Sequence, residues 1–436
     1  MKSPYDFYAT NEILSFEVHG LTRDSALVCL GCYGSLDDEE PFACPECGLP
    51  LCSEACQASP AHQPECLAFR SLGHEAGRNL TLCLINELPT LLDMILLLRC
   101  LNLRTVDDDH WFRLNQLQAS SETEENLWDP DLEALAVYVI DKMLENFAHL
   151  ELDKDLLTRL YGILTINAFE IPNAGEASLC SVYATGCLPE HNCVPTCHRS
   201  FGQDLSITLR SAVPLEATQR ISITYTDSLW PTRDRRGHLA YSKNFQCDCN
   251  RCQDPTELGT YLSALKCMKC PVGHYLPTEP LDANCQWQCE DCATRAPGSF
   301  ANEISERIGQ SIKAMEENGL EPEICEKFVM VHAKMLHPQH AHMLDIKHSL
   351  LHLLGHHEGY LMADLSDKQL QIKEDTARCI LKVADKIIPG KKIVCYISYH
   401  QMMLLLVPFE PKYVNYSSYS LSDKNCKLKK ILQDAF

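Results

Sequence analysis

A chain of 436 residues with 45% hydrophobic content is long enough for roughly two to four domains and rich enough for packed cores, which excludes a disordered polymer. Its formal charge of −21 argues against broad attraction to nucleic acid or anionic membrane, because counterion release needs positive charge facing phosphates. The 25 cysteines would spell a disulfide framework only in a short secreted chain. The opening MKSPYDFYATNE has no apolar signal core, so reduced thiols in a soluble cytosolic or nuclear protein are expected.

In chain order, ILSFEV (13–18) reads as one strand. From Cys29 a rhythm begins: Cys29-x2-Cys32, Cys44-x2-Cys47, Cys52-x3-Cys56, His62-x3-Cys66. These are enough ligands for two tetrahedral zinc sites, and such short pairs are what one turn of backbone wraps around an ion; ordinary buried thiols show no such spacing.

Residues 67–160 carry apolar side chains at helical spacing and predict a helical insert, with ASSETEENLWDPD (119–131) as a loop and Asp129-Pro130-Asp131 as a helix start. The longest apolar run, LPTLLDMILLLRC (88–100), is too short and too interrupted to span a bilayer. YGILTINAFEI (161–171) alternates and is rich in β-branched residues, predicting a strand; ISITYT (221–226) predicts another, so 161–246 reads as mostly β. TRDRRGH (232–238) is the single candidate for a local basic face.

CDCNRC then supplies Cys247, Cys249 and Cys252, three thiolates that need a fourth ligand from a remote part of the chain. Cys267-x2-Cys270 and Cys289-x2-Cys292, separated by 18 residues, predict one further zinc, with Cys285 off the pattern. No cysteine is left in a nucleophile arrangement with histidine. From 301 to 410 the text is helical with short Pro/Gly turns, which suggests an array of helical hairpins. His348, His352 and His356 recur every four residues, a spacing that suits metal ligands and equally suits a polar helix face. Periodicity is lost in the tail, 411–436, which predicts disorder there.

The finger rhythm, with Gln57 after Cys56, resembles the MYND zinc finger. That resemblance implies interleaved sites, Cys29, Cys32, Cys52 and Cys56 on one ion and Cys44, Cys47, His62 and Cys66 on the other, and a finger that binds partner proteins. INAFEI (166–171), EHNCVPT (190–196), ITYTDSLW (223–230) and NFQCDCNRC (244–252) resemble the SET domain of protein-lysine methyltransferases. In this order the pieces are similar to the SET-and-MYND (SMYD-type) family, and to its arthropod members above all. The resemblance implies an α+β chain: residual N-terminal SET segment (1–28), MYND finger (29–66), helical insert (67–160), SET core (161–246), post-SET and CxxC/CxxC zinc region (247–300), helical TPR-like domain (301–410) and tail (411–436). It implies Tyr225 as the catalytic tyrosine, Phe245 stacking on the adenine of S-adenosylmethionine, and His191 and Asn167 lining the cofactor cleft. It also implies Cys193 joining Cys247, Cys249 and Cys252 on a third ion, for about four zinc ions in all.

Departures from the family pattern concern the cofactor. Glu190 stands where the family has a cofactor-binding asparagine, so an amide is replaced by an anion without donors. Asn192 stands for Ser and Thr196 for Asn, and TQR (218–220) for Gly-Glu-Glu. No Gly-x-Gly occurs anywhere in the sequence, although only glycine permits the close backbone approach that the family's first motif makes to the cofactor. The expectation is therefore an incomplete first strand pair, in a chain that has abandoned the cofactor or is a truncated isoform or gene model. Two readings follow. One is a zinc-dependent protein-interaction module on a degenerate methyltransferase scaffold, acting in transcriptional or chromatin regulation; the other is an active lysine methyltransferase using Tyr225.

Overall fold

The computed structural model describes residues 17–21, 28–34, 36, 42–75, 88–120, 130–171, 179–183, 185–202 and 205–390, and the elements below are those of the described residues. They form a mixed helix-and-sheet molecule. In chain order come strand β1 (Glu17–Leu21), β2 (Phe42–Ala43), β3 (Pro50–Leu51) and helix α1 (Gln63–Arg70). Four longer helices follow: α2 (Leu88–Val106), α3 (Asp108–Gln116), α4 (Pro130–Asn146) and α5 (Lys154–Asn167). Then come β4 (Phe169–Ile171), β5 (Leu179–Tyr183), β6 (Glu190–His191), β7 (Cys197–Phe201), β8 (Ile207–Ser211), β9 (Ser222–Ile223), α6 (Thr232–Lys243) and the single turn α7 (Asn250–Gln253). The last stretch holds β10 (Leu265–Lys266), β11 (His274–Pro277), β12 (Trp287–Cys289), β13 (Arg295–Ala296), and helices α8 (Gly298–Glu317), α9 (Pro322–His332), α10 (Ala341–Leu353) and α11 (Asp367–Ile387). The predicted tail at 411–436, most of the loop at 119–131, and residues 1–16 and 391–410 lie outside the described residues.

The helical insert is built around α2, whose Leu91, Leu92, Met94, Ile95, Leu97 and Leu98 are all buried. An apolar surface on every side marks an interior helix, and α1, α3, α4, α5 and β1 pack around it. One polar tie crosses to the finger. The Arg99 guanidinium on α2 donates to both carboxylate oxygens of Glu65 on α1, at 2.9 and 2.5 Å, to the Tyr33 hydroxyl at 2.8 Å and to the Leu30 carbonyl at 3.2 Å. Glu65 is wholly buried, so its charge is tolerable only because this bidentate partner satisfies it.

The strand expected over 161–171 is corrected: α5 continues to Asn167 and only Phe169–Ile171 is extended. Asp153 caps the helix by accepting from the Asp155 N–H, and Leu157, Leu160, Tyr161 and Leu164 recur at helical spacing and are buried. Burying that face outweighs the β-preference of Ile163, Thr165 and Ile166. The strand expected over 221–226 shrinks to Ser222–Ile223. The Thr224 hydroxyl donates to the Thr226 carbonyl at 2.9 Å, a local side-chain turn that ends the ladder before Tyr225.

Of the strand expected at 13–18, residues 13–16 lie outside the described residues; β1 at 17–21 is antiparallel to β5, which also pairs with β4. β7 and β8 form an antiparallel pair, and β6 runs parallel to β9 with Glu190 opposite Ser222 and His191 opposite Ile223. β10 to β13 make a four-stranded antiparallel sheet in chain order, followed by the four C-terminal helices, of which α9, α10 and α11 pack in succession.

Where α10 begins, its N-cap is a histidine. The Nδ1 of His340 accepts from the His342 N–H at 3.2 Å, and His337 Nδ1 likewise accepts from Gln339 N–H at 3.1 Å. Both roles require a neutral ring. His340 is 2% exposed and burial holds its pKa well below the usual value; burial also takes His337 down to about 4, helped by His274, Lys347, Lys266 and Lys382 around it. The unfolded chain therefore binds protons first as pH falls below about 6.5, and stability is full above that value and lost towards pH 4. Each histidine adds at most about 1.4 kcal/mol per pH unit over that window. Thermal melts of wild type and a His340→Asn variant, in which an amide oxygen supplies the cap, should keep a constant offset above about pH 6.5 and separate below it, the wild type losing stability faster as pH falls; a constant offset across the whole range would refute the assignment.

Candidate functional site

Four groups of ligand-type side chains converge: Cys29, Cys32, Cys52 and Cys56; Cys44, Cys47, His62 and Cys66; Cys193, Cys247, Cys249 and Cys252; and Cys267, Cys270, Cys289 and Cys292. Within each, the ligand atoms lie within 4.8 Å of one another. Sulfur–sulfur separations of 3.6 Å (Cys32–Cys52), 3.5 Å (Cys52–Cys56), 3.8 Å (Cys44–Cys66), 3.5 Å (Cys193–Cys252) and 3.7 Å (Cys270–Cys289) match the edge of a tetrahedron with zinc–sulfur bonds of about 2.3 Å, roughly 3.8 Å. They are far too long for disulfides, and the cysteines are free. Zinc therefore fits all four clusters, and the two finger sets interleave as the resemblance implies.

Local backbone explains how the thiols meet. The residue after the second cysteine of three CxxC pairs is left-handed: Tyr33 at φ 61°, Gly48 at φ 79° and Ala293 at φ 55°. That turn folds each knuckle back so that both sulfurs face one point. Gly31, between two ligands, lies so close to Cys56 that a Cβ would stand 2.7 Å from the Cys56 Cβ, so the glycine makes room for the second half of the site. In the second cluster His62 turns Nε2 towards Cys47 at 3.5 Å and Nδ1 towards Glu65 at 3.7 Å. That Nδ1 is buried without a hydrogen-bond partner, and the carboxylate held by Arg99 is the group placed to orient it.

The third cluster has the most elaborate surroundings. Arg235 on α6 is fully buried and donates Nε–H to Cys193 Sγ at 3.2 Å and Nη2–H to Cys252 Sγ at 3.5 Å. Its remaining donors reach Glu257 Oε2 at 2.7 Å, the Trp230 carbonyl at 2.5 Å and the Thr232 hydroxyl at 3.0 Å. Glu257, 2% exposed, is shared with Arg251 at 3.3 Å and accepts from the Ser263 hydroxyl at 2.5 Å; the arginine charges and these bonds keep it ionised despite burial. A guanidinium aimed at thiolates offsets the excess negative charge of a four-thiolate site.

These residues were missed by sequence reasoning, and the basic face expected at 232–238 is corrected. Arg235 points inward, Arg236 donates to the carbonyls of Cys247 and Leu281, and Arg233 pairs with Glu306 at 3.0 Å. The available signal was α6 itself, a helix start after Pro231 that places Arg235 on the face turned towards CDCNRC.

Around Tyr225 the predicted residues divide. His191 Nδ1 accepts from the Tyr225 N–H at 3.0 Å while Nε2 lies 3.3 Å from Cys193 Sγ, so this ring joins the tyrosine to the third cluster. Its centroid is 5.3 Å from that of Tyr225 and 6.0 Å from that of Phe245. The Tyr225 hydroxyl donates to the Pro189 carbonyl at 2.6 Å, and burial, with Cys187 and Glu190 adding to it, pushes its pKa up to about 12 against the opposing pull of Arg199. Asn167 stands apart: its amide donates to the carbonyls of Gln118 at 2.9 Å and Ile163 at 2.8 Å, capping the end of α5. Glu190 is exposed and bound by Arg220 Nη1 at 3.0 and 2.9 Å. Thr196 links to Ser222, its Oγ1 accepting from the Ser222 N–H at 2.8 Å.

A cavity of about 950 Å³ opens between β7, the turn at 224–231 and helix α10; Thr224 and Thr226 line it, whereas Tyr225 between them does not. Thr224, Thr226 and Asp227 line it from one side, and His342, Asp345 and His348 from the other. Among the described residues no helix is long and apolar enough to cross a membrane.

No family model matches the chain. It is 28% identical over 330 residues to the SET domain-containing protein SmydA-8, isoform B, of Drosophila melanogaster, covering 70% of this chain and 69% of that protein. It is 34% identical over 88 residues to the mouse histone-lysine N-methyltransferase SMYD3, covering 20% of each. With the N-lysine methyltransferase SMYD2-A of Xenopus laevis it shares 29% identity over 111 residues, covering 24% of this chain and 26% of the relative.

Proposed function

We propose, from the premise that the chain is a SMYD-type SET protein, that it works first as a zinc-dependent protein-interaction module on a degenerate methyltransferase scaffold. The layout this reading takes is a MYND finger at 29–66, a helical insert, a SET core carrying Tyr225, a post-SET and CxxC/CxxC zinc region, and a helical TPR-like C-terminal domain. Partners dock on the finger and the helical domain, in the nucleus or cytoplasm, in transcriptional or chromatin regulation.

The observation that carries the reading is the Glu190–Arg220 pair. Glu190 stands where the resemblance expects a cofactor-binding asparagine, and Arg220, in the TQR that replaces Gly-Glu-Glu, pairs with it and neutralises it. Asn167 supports the same reading, since its amide is already spent on the Gln118 and Ile163 carbonyls. The second reading, an active lysine N-methyltransferase completed by the N-terminal SET segment of a longer isoform, is favoured by the Tyr225–His191–Phe245 contacts. In that reading S-adenosylmethionine supplies the methyl group, the Tyr225 phenol orients the substrate amine, and Phe245 and His191 hold the cofactor side.

Calorimetric titration of zinc-loaded protein with S-adenosylmethionine separates the two. No saturable heat is expected. Micromolar binding that weakens in a Phe245→Ala variant would overturn the scaffold reading.

A further inference from the structure

Helix α10 turns His342, Asp345 and His348 towards the cavity, and His352 follows one turn further along the same stripe. His348 and His352 are both exposed, and both sit inside the helix, where backbone hydrogen bonds fix their spacing. Their Nε2 atoms face each other at 3.3 Å, with the rings at 73° and their centroids 4.6 Å apart. Two imidazole nitrogens on one tetrahedral ion, with metal–nitrogen bonds of about 2.0–2.1 Å, stand roughly 3.3–3.4 Å apart. The pair thus already holds the separation a shared ion would impose.

Charges of both signs surround the pair. Asp345 and Asp227, both lining the cavity, repel one another, and Asp345 is drawn to His342 and His348. Opposing them are His356 and Lys373, but Lys373 is committed to the Leu351 and Leu354 carbonyls at the end of the helix. His356 lies past the helix end and uses Nδ1 on the His352 carbonyl at 3.0 Å, so it is not in register with the other two.

We propose that His348 and His352 form a fifth metal site, for a late first-row divalent ion such as zinc, cobalt or nickel. Two imidazole nitrogens hold the ion, and its other positions stay open to water and to whatever occupies the cavity. It differs in kind from the four clusters: nitrogen ligands alone instead of sets of three or four thiolates, an open coordination sphere instead of a closed one, and an exchangeable ion instead of a structural one. The two rings could also share a single N–H···N hydrogen bond, and metal titration distinguishes that state from an ion site.

Protein carrying its four zinc ions is titrated with cobalt(II), followed by calorimetry and visible absorption. One additional equivalent should bind with the weak bands of a nitrogen–oxygen site and without thiolate-to-cobalt charge transfer. Single His348→Asn and His352→Asn variants should each weaken it at least about tenfold, and the double variant should abolish it. Because both rings are exposed, unchanged thermal midpoints will verify that the variants fold. Absence of the extra equivalent, its survival in the double variant, or binding seen only as charge transfer from displaced zinc would overturn the proposal.

Discussion

Stripping zinc with excess chelator is expected to unfold most of the molecule, with elemental analysis beforehand giving four ions per chain. Structural zinc contributes roughly 10–16 kcal/mol of apparent binding free energy per site, against roughly 5–15 kcal/mol for the stability of a whole fold. The ligands are also part of the cores: Cys29, Cys44 and Cys47 are completely buried in the cluster that contains Leu91, Leu97 and Ile163. Four unbound thiolates there would repel one another, and four thiols would leave the knuckles without the ion that closes them. Release should be ordered by access. The 267–292 and 29–56 clusters, with Cys292, Cys32 and Cys52 exposed, should empty first, the 193–252 cluster, where Cys249 is partly exposed, later, and the 44–66 cluster last, since all four of its ligands are buried. Far-UV circular dichroism and a colorimetric zinc indicator recorded together would test this. Two or fewer ions per chain, or full metal loss with an unchanged spectrum, would refute it.

The second large effect belongs to Arg235. Replacement by methionine keeps much of the volume but leaves Glu257 with one guanidinium instead of two and removes both donors from the Cys193 and Cys252 sulfurs. Breaking a buried ion pair from one side costs about 3–5 kcal/mol, because the surviving charge stays buried without compensation. Arg233→Met, one helix position pair away and exposed in its contact with Glu306, should cost no more than about 0.5 kcal/mol. In urea melts the Arg235→Met midpoint should fall steeply, and a Glu257→Gln change made on top of it should cost less than the same change in wild type. A loss below about 1 kcal/mol would mean that the network is peripheral to stability.

The metal clusters were legible because chemistry fixes spacing locally: Cys29-x2-Cys32 or Cys289-x2-Cys292 can be read without knowing the fold. The helix at 367–387 was legible from its local apolar spacing, while the reciprocal cap of Ser366 and Gln369 that starts it came from the structure. What was hidden depends on distance along the chain. Glu190 meets Arg220, and Glu65 meets Arg99, only after folding, so neither pair leaves a periodic mark. The segment 161–167 misled because its β-branched residues suit a strand, while the partners that reward its helical face come from elsewhere in the core. Arg235 misled in the opposite direction: in a run of basic residues it looks like surface, and only the position of the thiolates explains why one of them turns inward.

The Glu65–Arg99 tie has a consequence for recognition. Many zinc fingers search for targets at the end of a flexible tether, where linker length sets the effective concentration of a second contact. Here the finger is welded to the long helix of the insert through a buried bidentate pair, so it cannot swivel. A partner that grips the finger grips the whole body at a fixed angle. Whether it can reach a second surface is then a matter of rigid dimensions, and an excised finger, lacking Arg99, would be a different binding reagent from the intact chain.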